Sequence, residues 1–96
     1  MSLILRAAVE RDLDEAASWY EERQPGLREA FLEVVEDTLK RIEENPRLYP
    51  VLRLDIRRAS LRRFPYGIYY ALIEGDIHVL AVVHDARHPS VWYRRR

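Results

Sequence analysis

Apolar residues recur along this chain with two different periods, and the switch between them divides it in half. Leu3-Ile4-Leu5-Arg6-Ala7-Ala8 reads as a short opening strand with indistinct ends. From Val9 the spacing turns helical, with Val9, Leu13, Ala16, Ala17 and Tyr20 on one face. Glu10, Asp12, Asp14 and Glu15 crowd the first turns, where the helix dipole favours anions. Gln24-Pro25-Gly26 ends this helix and opens another. In the second helix Leu27, Ala30, Phe31, Val34, Val35, Thr38, Leu39 and Ile42 recur at three- and four-residue steps. Glu36 with Lys40, and Asp37 with Arg41, add i,i+4 pairs with the acid on the N-terminal side. Asn45-Pro46 stops the helix, because proline pushes the residue before it out of the helical region. The short link sets the two helices antiparallel, as a hairpin.

Beyond Tyr49-Pro50 the pattern alternates. Arg57 to Phe64 is expected as a strand, with Ala59 and Leu61 on one face and Arg58, Ser60 and Arg62 on the other. Tyr66 to Ile73 and Ile77 to His84 are two more, apolar on both faces and therefore central and covered on each side. Glu74-Gly75-Asp76 joins them in a tight hairpin turn, where Gly75 takes a positive φ without steric cost. The order is β-α-α-β-β-β. Two amphipathic helices must bury their stripes on one face of a mostly antiparallel sheet, which is an α+β two-layer fold.

Composition narrows the class. The chain has 96 residues, 48% of them hydrophobic, with only three Gly and five Pro. That is a single folded domain over 1–96. With no Cys, disulfides and thiolate metal sites are excluded. His78, His84 and His88 lack metal-ligand spacing, and neither a metal nor another cofactor is expected. No apolar run reaches the ~20 residues of a membrane helix. Met1 to Arg6 is too short for a secretory signal and lacks its basic lead-in. The expectation is a soluble, cytoplasmic chain without a membrane partner. The zero net charge conceals a split: residues 1–50 carry twelve acids and seven bases, and residues 51–96 carry four acids and nine bases. Fifteen of the sixteen bases are Arg, a planar fork suited to phosphates, carboxylates and rings.

Three groups of residues are candidates for chemistry. Arg57, Arg58, Arg62 and Arg63 place four cations on one expected strand. They form either a strip for phosphate or an acidic peptide, or an edge strand guarded by charge. His84-Asp85-Ala86-Arg87-His88-Pro89 puts an Arg between two His at a sheet end. It suits anion contact and proton transfer, or a plain surface turn with Asp85 pairing Arg87. Trp92-Tyr93 before Arg94-Arg95-Arg96 suits stacking on a base or an interface hot spot; the other reading packs Trp92 on the sheet and leaves a short basic tail. Trp19 and Tyr20 are expected to pack in the core and the hairpin.

Taken together, several segments resemble the RelE/ParE toxin superfamily. They are Glu10-Arg11-Asp12-Leu13-Asp14-Glu15-Ala16, Trp19-Tyr20-Glu21, Pro25-Gly26-Leu27, Phe31, Asn45-Pro46 and Tyr49-Pro50. Arg62-Arg63-Phe64-Pro65-Tyr66-Gly67-Ile68-Tyr69-Tyr70 and the His84-Asp85-Ala86-Arg87-His88-Pro89 ending with Trp92 complete the set. The likeness runs in order over nearly the whole chain and looks most like the ParE branch of plasmid-stabilisation systems. It implies a helical hairpin on an antiparallel sheet. It also implies a cognate antitoxin with a DNA-binding half and an extended half that wraps the toxin. This chain alone is not expected to bind specific DNA sequences.

The superfamily holds two activities. The ParE type is understood to poison DNA gyrase by binding. The RelE type cleaves mRNA in the ribosome, with basic residues on the phosphate and a Tyr or His moving a proton. By position, Arg87 resembles the RelE-type Arg after the last strand, Tyr93 the RelE-type Tyr, and Arg58 a basic position on the preceding strand. Gly67, however, stands where a second catalytic Arg is usual, and Ser60 replaces a second basic residue. Each missing phosphate contact removes several kcal/mol of transition-state stabilisation. The resemblance therefore implies a gyrase-binding toxin rather than an enzyme, with Arg58, Arg62, Arg63, Arg87, Trp92 and Tyr93 on its target or antitoxin surface. The alternative is a ribosome-dependent endonuclease using Arg58, Arg87, Tyr93, His84 and His88. A third reading is a binding module that has lost toxicity.

Overall fold

A computed structural model describes residues 1–96. Its elements are β1 (Leu3–Leu5), α1 (Ala7–Arg23), α2 (Leu27–Glu44), β2 (Val51–Arg53), β3 (Ile56–Ser60), β4 (Tyr66–Ile73), β5 (Asp76–His84) and α3 (Ser90–Tyr93). The strands form one sheet in the order β1-β5-β4-β3-β2. β1 runs parallel to β5, and every other pairing is antiparallel. This is the expected α+β arrangement with one further strand. No helix is long and apolar enough to cross a membrane.

The two helices cover one face. Val9, Ala16 and Ala17 of α1 and Phe31, Val34, Val35 and Ile42 of α2 are buried against Ala59, Ile68, Tyr70, Ile77, Val79 and Val82. These are the stripe residues of the helical periods. Thr38, the polar member, donates its hydroxyl to the Val34 carbonyl at 2.8 Å and so buries no unpaired group. The opposite face carries a smaller core of Ile56, Tyr69, Ala71, Leu80, Ala81 and Val83, closed by Trp92 of α3. Both faces of β4 and β5 are covered, as their double-sided apolar pattern required.

The helix link is built by a side chain of α1. Gly26 turns the chain at φ +94°, and the Glu21 carboxylate accepts from the Gly26 and Arg28 amides at 3.0 Å each. A carboxylate thus caps the start of α2 from outside that helix. Those two amide bonds hold the Glu21 carboxyl below its usual value. Across the sheet, Glu74 and Gly75 both take positive φ, at 50° and 83°, and close the β4–β5 hairpin with the right twist.

Within β5 the ladder is interrupted once. Tyr69 pairs with Ala81 but Tyr70 pairs with Val79, so Leu80 is an extra residue opposite β4. Leu80 and Ala81 consequently both join the second core, while Val82 returns to the helix-covered one.

Some boundaries depart from the sequence reading. α1 begins at Ala7. β2 was not expected, since three wholly exposed residues carry no alternation. α3 is too short for a helical period to show. The expected strand from Arg57 to Phe64 ends at Ser60, because Arg63 takes a φ of +71° and the chain folds back through Leu61 to Pro65. Period-2 reasoning fails where a turn interrupts it.

Candidate functional site

The shortness of β1 creates the principal site. β1 covers β5 only from Ile77 to Val79, and beyond that point the β5 edge has no neighbouring strand. Side chains take over its first positions. The Asp12 carboxylate accepts from the Val82 amide at 2.9 Å, and Arg95 Nη1 donates to the Leu80 carbonyl at 3.2 Å. Arg95 and Asp12 also pair with each other through two hydrogen bonds, of 2.5 and 3.1 Å. Arg6 Nη1 donates to the Arg95 carbonyl at 2.8 Å and holds the backbone there.

Past this clamp a cavity of about 500 Å³ opens between α1 and the end of the sheet. Glu15, Trp19 and Tyr20 line it from α1, and Tyr66, His84 and Arg87 from the sheet end. Tyr20 and Tyr66 belong to an aromatic cluster with Phe31 and Phe64, in which ring centroids lie 4.9 to 6.1 Å apart. The His84 ring meets Tyr66 edge to face at 5.2 Å. Burial pushes the hydroxyls of Tyr20 and Tyr66 above their ordinary value; at Tyr66 the Arg87 charge partly opposes this. The Arg87 guanidinium has no hydrogen-bond or ion-pair partner within the chain, and it shares the cleft with the Glu15 carboxylate and the aromatic walls. Trp19 is 49% exposed at the rim, not in the core where it was expected.

The other candidates are dispersed. Arg57 points to the helix-covered side and donates to the Arg47 and Tyr49 carbonyls at 3.1 and 2.6 Å. Arg58 points the other way, pairs with Asp85 and lies against Gly67. Its Nε is buried without a partner. Arg62 reaches Asp37 of α2 at 3.2 Å, and Arg63 lies 5.3 Å above the Phe64 ring. There is no four-cation strip. Asp85 pairs Arg58, not Arg87.

Trp92 is 7% exposed and stacked on Tyr69 at 4.6 Å, so it supports the surface rather than forming it. Tyr93 lies on that same side with the Arg53 guanidinium 3.9 Å above its ring. His88 Nδ1 accepts from the Ser90 amide at 3.1 Å, and His84 Nδ1 from the Ala86 amide at 2.9 Å. Both imidazoles therefore order local turns through one nitrogen. Two of the three terminal arginines are held: Arg95 is clamped as above, and Arg96 binds Asp55 through two hydrogen bonds of 2.6 and 2.8 Å. That contact holds the Asp55 carboxyl below its usual value. No group of three or more His, Asp or Glu side chains converges as a metal site would.

Sequence reasoning missed Glu15, Tyr66 and the Asp12–Arg95 clamp. Asp12 and Arg95 are too far apart in the chain for any local pattern. Trp19 did carry a signal, since it sits one position off the apolar stripe of α1.

A chain described as "Chromosomal ParDE TA system from P. aeruginosa" superposes with a TM-score of 0.68 at 19% identity, over 88% of this chain and 95% of that one. At that identity the likeness shows a shared fold. No curated protein matches the chain. The model of the family "ParE toxin of type II toxin-antitoxin system, parDE" matches residues 3–89, nearly the whole chain. The chain is a member of the ParE toxin family of type II toxin–antitoxin systems.

Proposed function

We propose that this chain is held inactive by a cognate antitoxin and, when released in the cytoplasm, inhibits DNA gyrase by binding rather than by cleaving a substrate. One observation carries the choice of a binder over a nuclease. Arg58, Arg87 and Tyr93 do not face a common point: Arg87 opens into the α1 cleft, while Arg58 and Tyr93 lie on the opposite side of the sheet. Arg58 is further committed to Asp85. Cleavage of a phosphodiester needs its cations and its proton-transfer group around one phosphate. The α1 cleft, with its aromatic walls and free guanidinium, suits an anchoring segment of the antitoxin.

The endonuclease reading keeps one observation in its favour, the unpaired Arg87 beside His84 and Tyr66. The experiment therefore runs both arms on the same purified chain. Gyrase supercoiling is measured with and without the antitoxin encoded beside this chain, and mRNA integrity is followed in a translating extract. Loss of supercoiling that the antitoxin restores, with intact mRNA, is expected. Cut mRNA with normal supercoiling overturns the proposal and moves Arg87 into a catalytic role. Silence in both arms, with the antitoxin still bound, points to a binding module that has lost toxicity.

A further inference from the structure

The loop between β5 and α3 closes two tight turns with imidazoles. His84 Nδ1 lies 2.9 Å from the Ala86 amide nitrogen, and His88 Nδ1 lies 3.1 Å from that of Ser90. Both contacts run from a side chain to the amide two residues on. Asn and Asp ordinarily make this turn, through a side-chain oxygen. An imidazole makes it only while neutral. A backbone N–H can only donate, so Nδ1 must carry the lone pair and Nε2 the proton. Protonation puts a second N–H where the acceptor was, and imidazole changes charge between about pH 5 and 8.

The two histidines do not respond alike. The Ser90 hydroxyl lies 3.0 Å from His88 Nδ1. It can accept the new N–H, so His88 exchanges one partner for another and keeps its place. His84 Nδ1 has only the Ala86 amide. Two N–H groups facing each other at that distance repel, and the ring has to swing away. The rest of the turn stays. The Asp85 amide donates to the Pro65 carbonyl at 2.8 Å, and the Arg87 amide to the His84 carbonyl at 3.0 Å. Protonation therefore moves a side chain and leaves the backbone turn in place.

That side chain is part of the wall of the α1 cleft. It is half-buried, and its ring meets Tyr66 of β4 edge to face. Asp12, Glu15 and Tyr20 line the same space from α1, and Arg87 lines it from the loop. Asp12 is held by Arg95, and the neighbouring Asp85 by Arg58. Glu15 is the carboxylate left to balance a charged ring, while Arg87 opposes it. A swing of the ring breaks the Tyr66 contact and sets a second cation beside Arg87.

We propose that His84 is a proton-operated switch in the wall of the α1 cleft. Neutral, it is locked to the Ala86 amide and shapes the cleft; protonated, it lets go and reshapes it. The occupant of the cleft is then bound in a pH-dependent way. This last consequence rests on the cleft being the anchoring site of the antitoxin; the switch itself does not.

The isotope-labelled chain is titrated from about pH 8 to about pH 5, and its amides and imidazole nitrogens are followed by NMR. At high pH the His84 ring should carry its proton on Nε2. The Ala86 amide should shift with the same midpoint as that ring, and its exchange with solvent should quicken in acid. His84→Asn, whose Oδ1 stands where Nδ1 does, should hold the Ala86 amide in its bonded position throughout. His84→Gln, whose side chain extends past that place, should hold it in the acid-state position. A neutral ring protonated on Nδ1, an Ala86 amide indifferent to the His84 titration, or Asn and Gln variants that place this amide alike overturn the switch. Antitoxin affinity at both ends of the titration tests the consequence. In acid it should fall about fivefold further for the parent chain than for the Asn variant. Equal pH dependence in the two chains, with the Ala86 response present, supports the switch and refutes the cleft as the anchoring site.

Discussion

The side chain of Arg58 occupies the space above Gly67: a Cβ at position 67 would lie 2.6 Å from Arg58 Nε and 3.3 Å from its Cγ. Glycine is required there by a neighbour and not by backbone conformation. A larger side chain at position 67 is sterically incompatible with the present placement of Arg58.

Gly67→Ala should therefore force Arg58 off its contact with Asp85. A cost of about 1–2 kcal/mol in urea unfolding is expected. In an Arg58→Ala background the same change should cost close to nothing, and a double-mutant cycle measures the difference. Equal costs in both backgrounds would refute the steric account.

The Asp12–Arg95 clamp ties the C-terminal end of the chain to α1 and the β5 edge. The two side chains are only 11% and 27% exposed. Asp12→Ala leaves the Arg95 charge and the Val82 amide without their acceptor. Destabilisation by about 2–4 kcal/mol is expected, as for a largely buried pair broken on one side. The exposed Lys40–Glu36 pair is the control, and its removal should be barely measurable.

Tyr70 is fully buried and donates its hydroxyl to the Pro46 carbonyl at 2.7 Å, which fastens the end of α2 to the sheet. Tyr70→Phe should cost about 1 kcal/mol. Burial pushes this hydroxyl up from 10.0 to about 12. The folded state thus keeps a proton that the unfolded chain loses. The contribution is fully present below pH 10 and declines as pH rises toward 12. The Phe variant should show a flatter alkaline limb in a pH series of melting temperatures.

Glu21 works in the opposite sense. Its carboxyl lies below the usual 4.5 because it accepts the Arg28 and Gly26 amides. The folded state favours the ionised form, so this stabilisation is present above the ordinary value and is lost as pH falls through the lowered one. Glu21→Gln should lower the melting temperature at neutral pH. The gap to the parent chain should close in acid.

Arg87→Ala removes a guanidinium with no internal partner. Stability should change by less than about 0.5 kcal/mol. Antitoxin affinity, measured by calorimetry, should fall if the cleft is the anchoring site. An unchanged affinity would place the antitoxin elsewhere.

The helices and the β4–β5 hairpin were legible because their signals are local: a 3.6-residue stripe, two breakers and one Gly turn. β2 was not, since its three exposed residues, Val51 to Arg53, alternate with nothing. Candidate cations were found as residue types, but their partners were not. Arg58 with Asp85 and Arg95 with Asp12 are joined only by the tertiary fold. Reading four arginines as a strip assumed that each was free. The fold instead disperses them to two carboxylates, Asp85 and Asp37, to loop carbonyls and to a ring.

The extra residue in β5 acts as a parity switch. Upstream of Leu80, odd positions face the helices; downstream, even ones do. His84 reaches the cleft because one insertion inverted the count. A single deletion within β5 would leave every side chain of the site in the sequence, yet present His84 to the wrong side of the sheet. Relatives that differ by one residue in this strand can thus share almost all their amino acids and expose different binding surfaces.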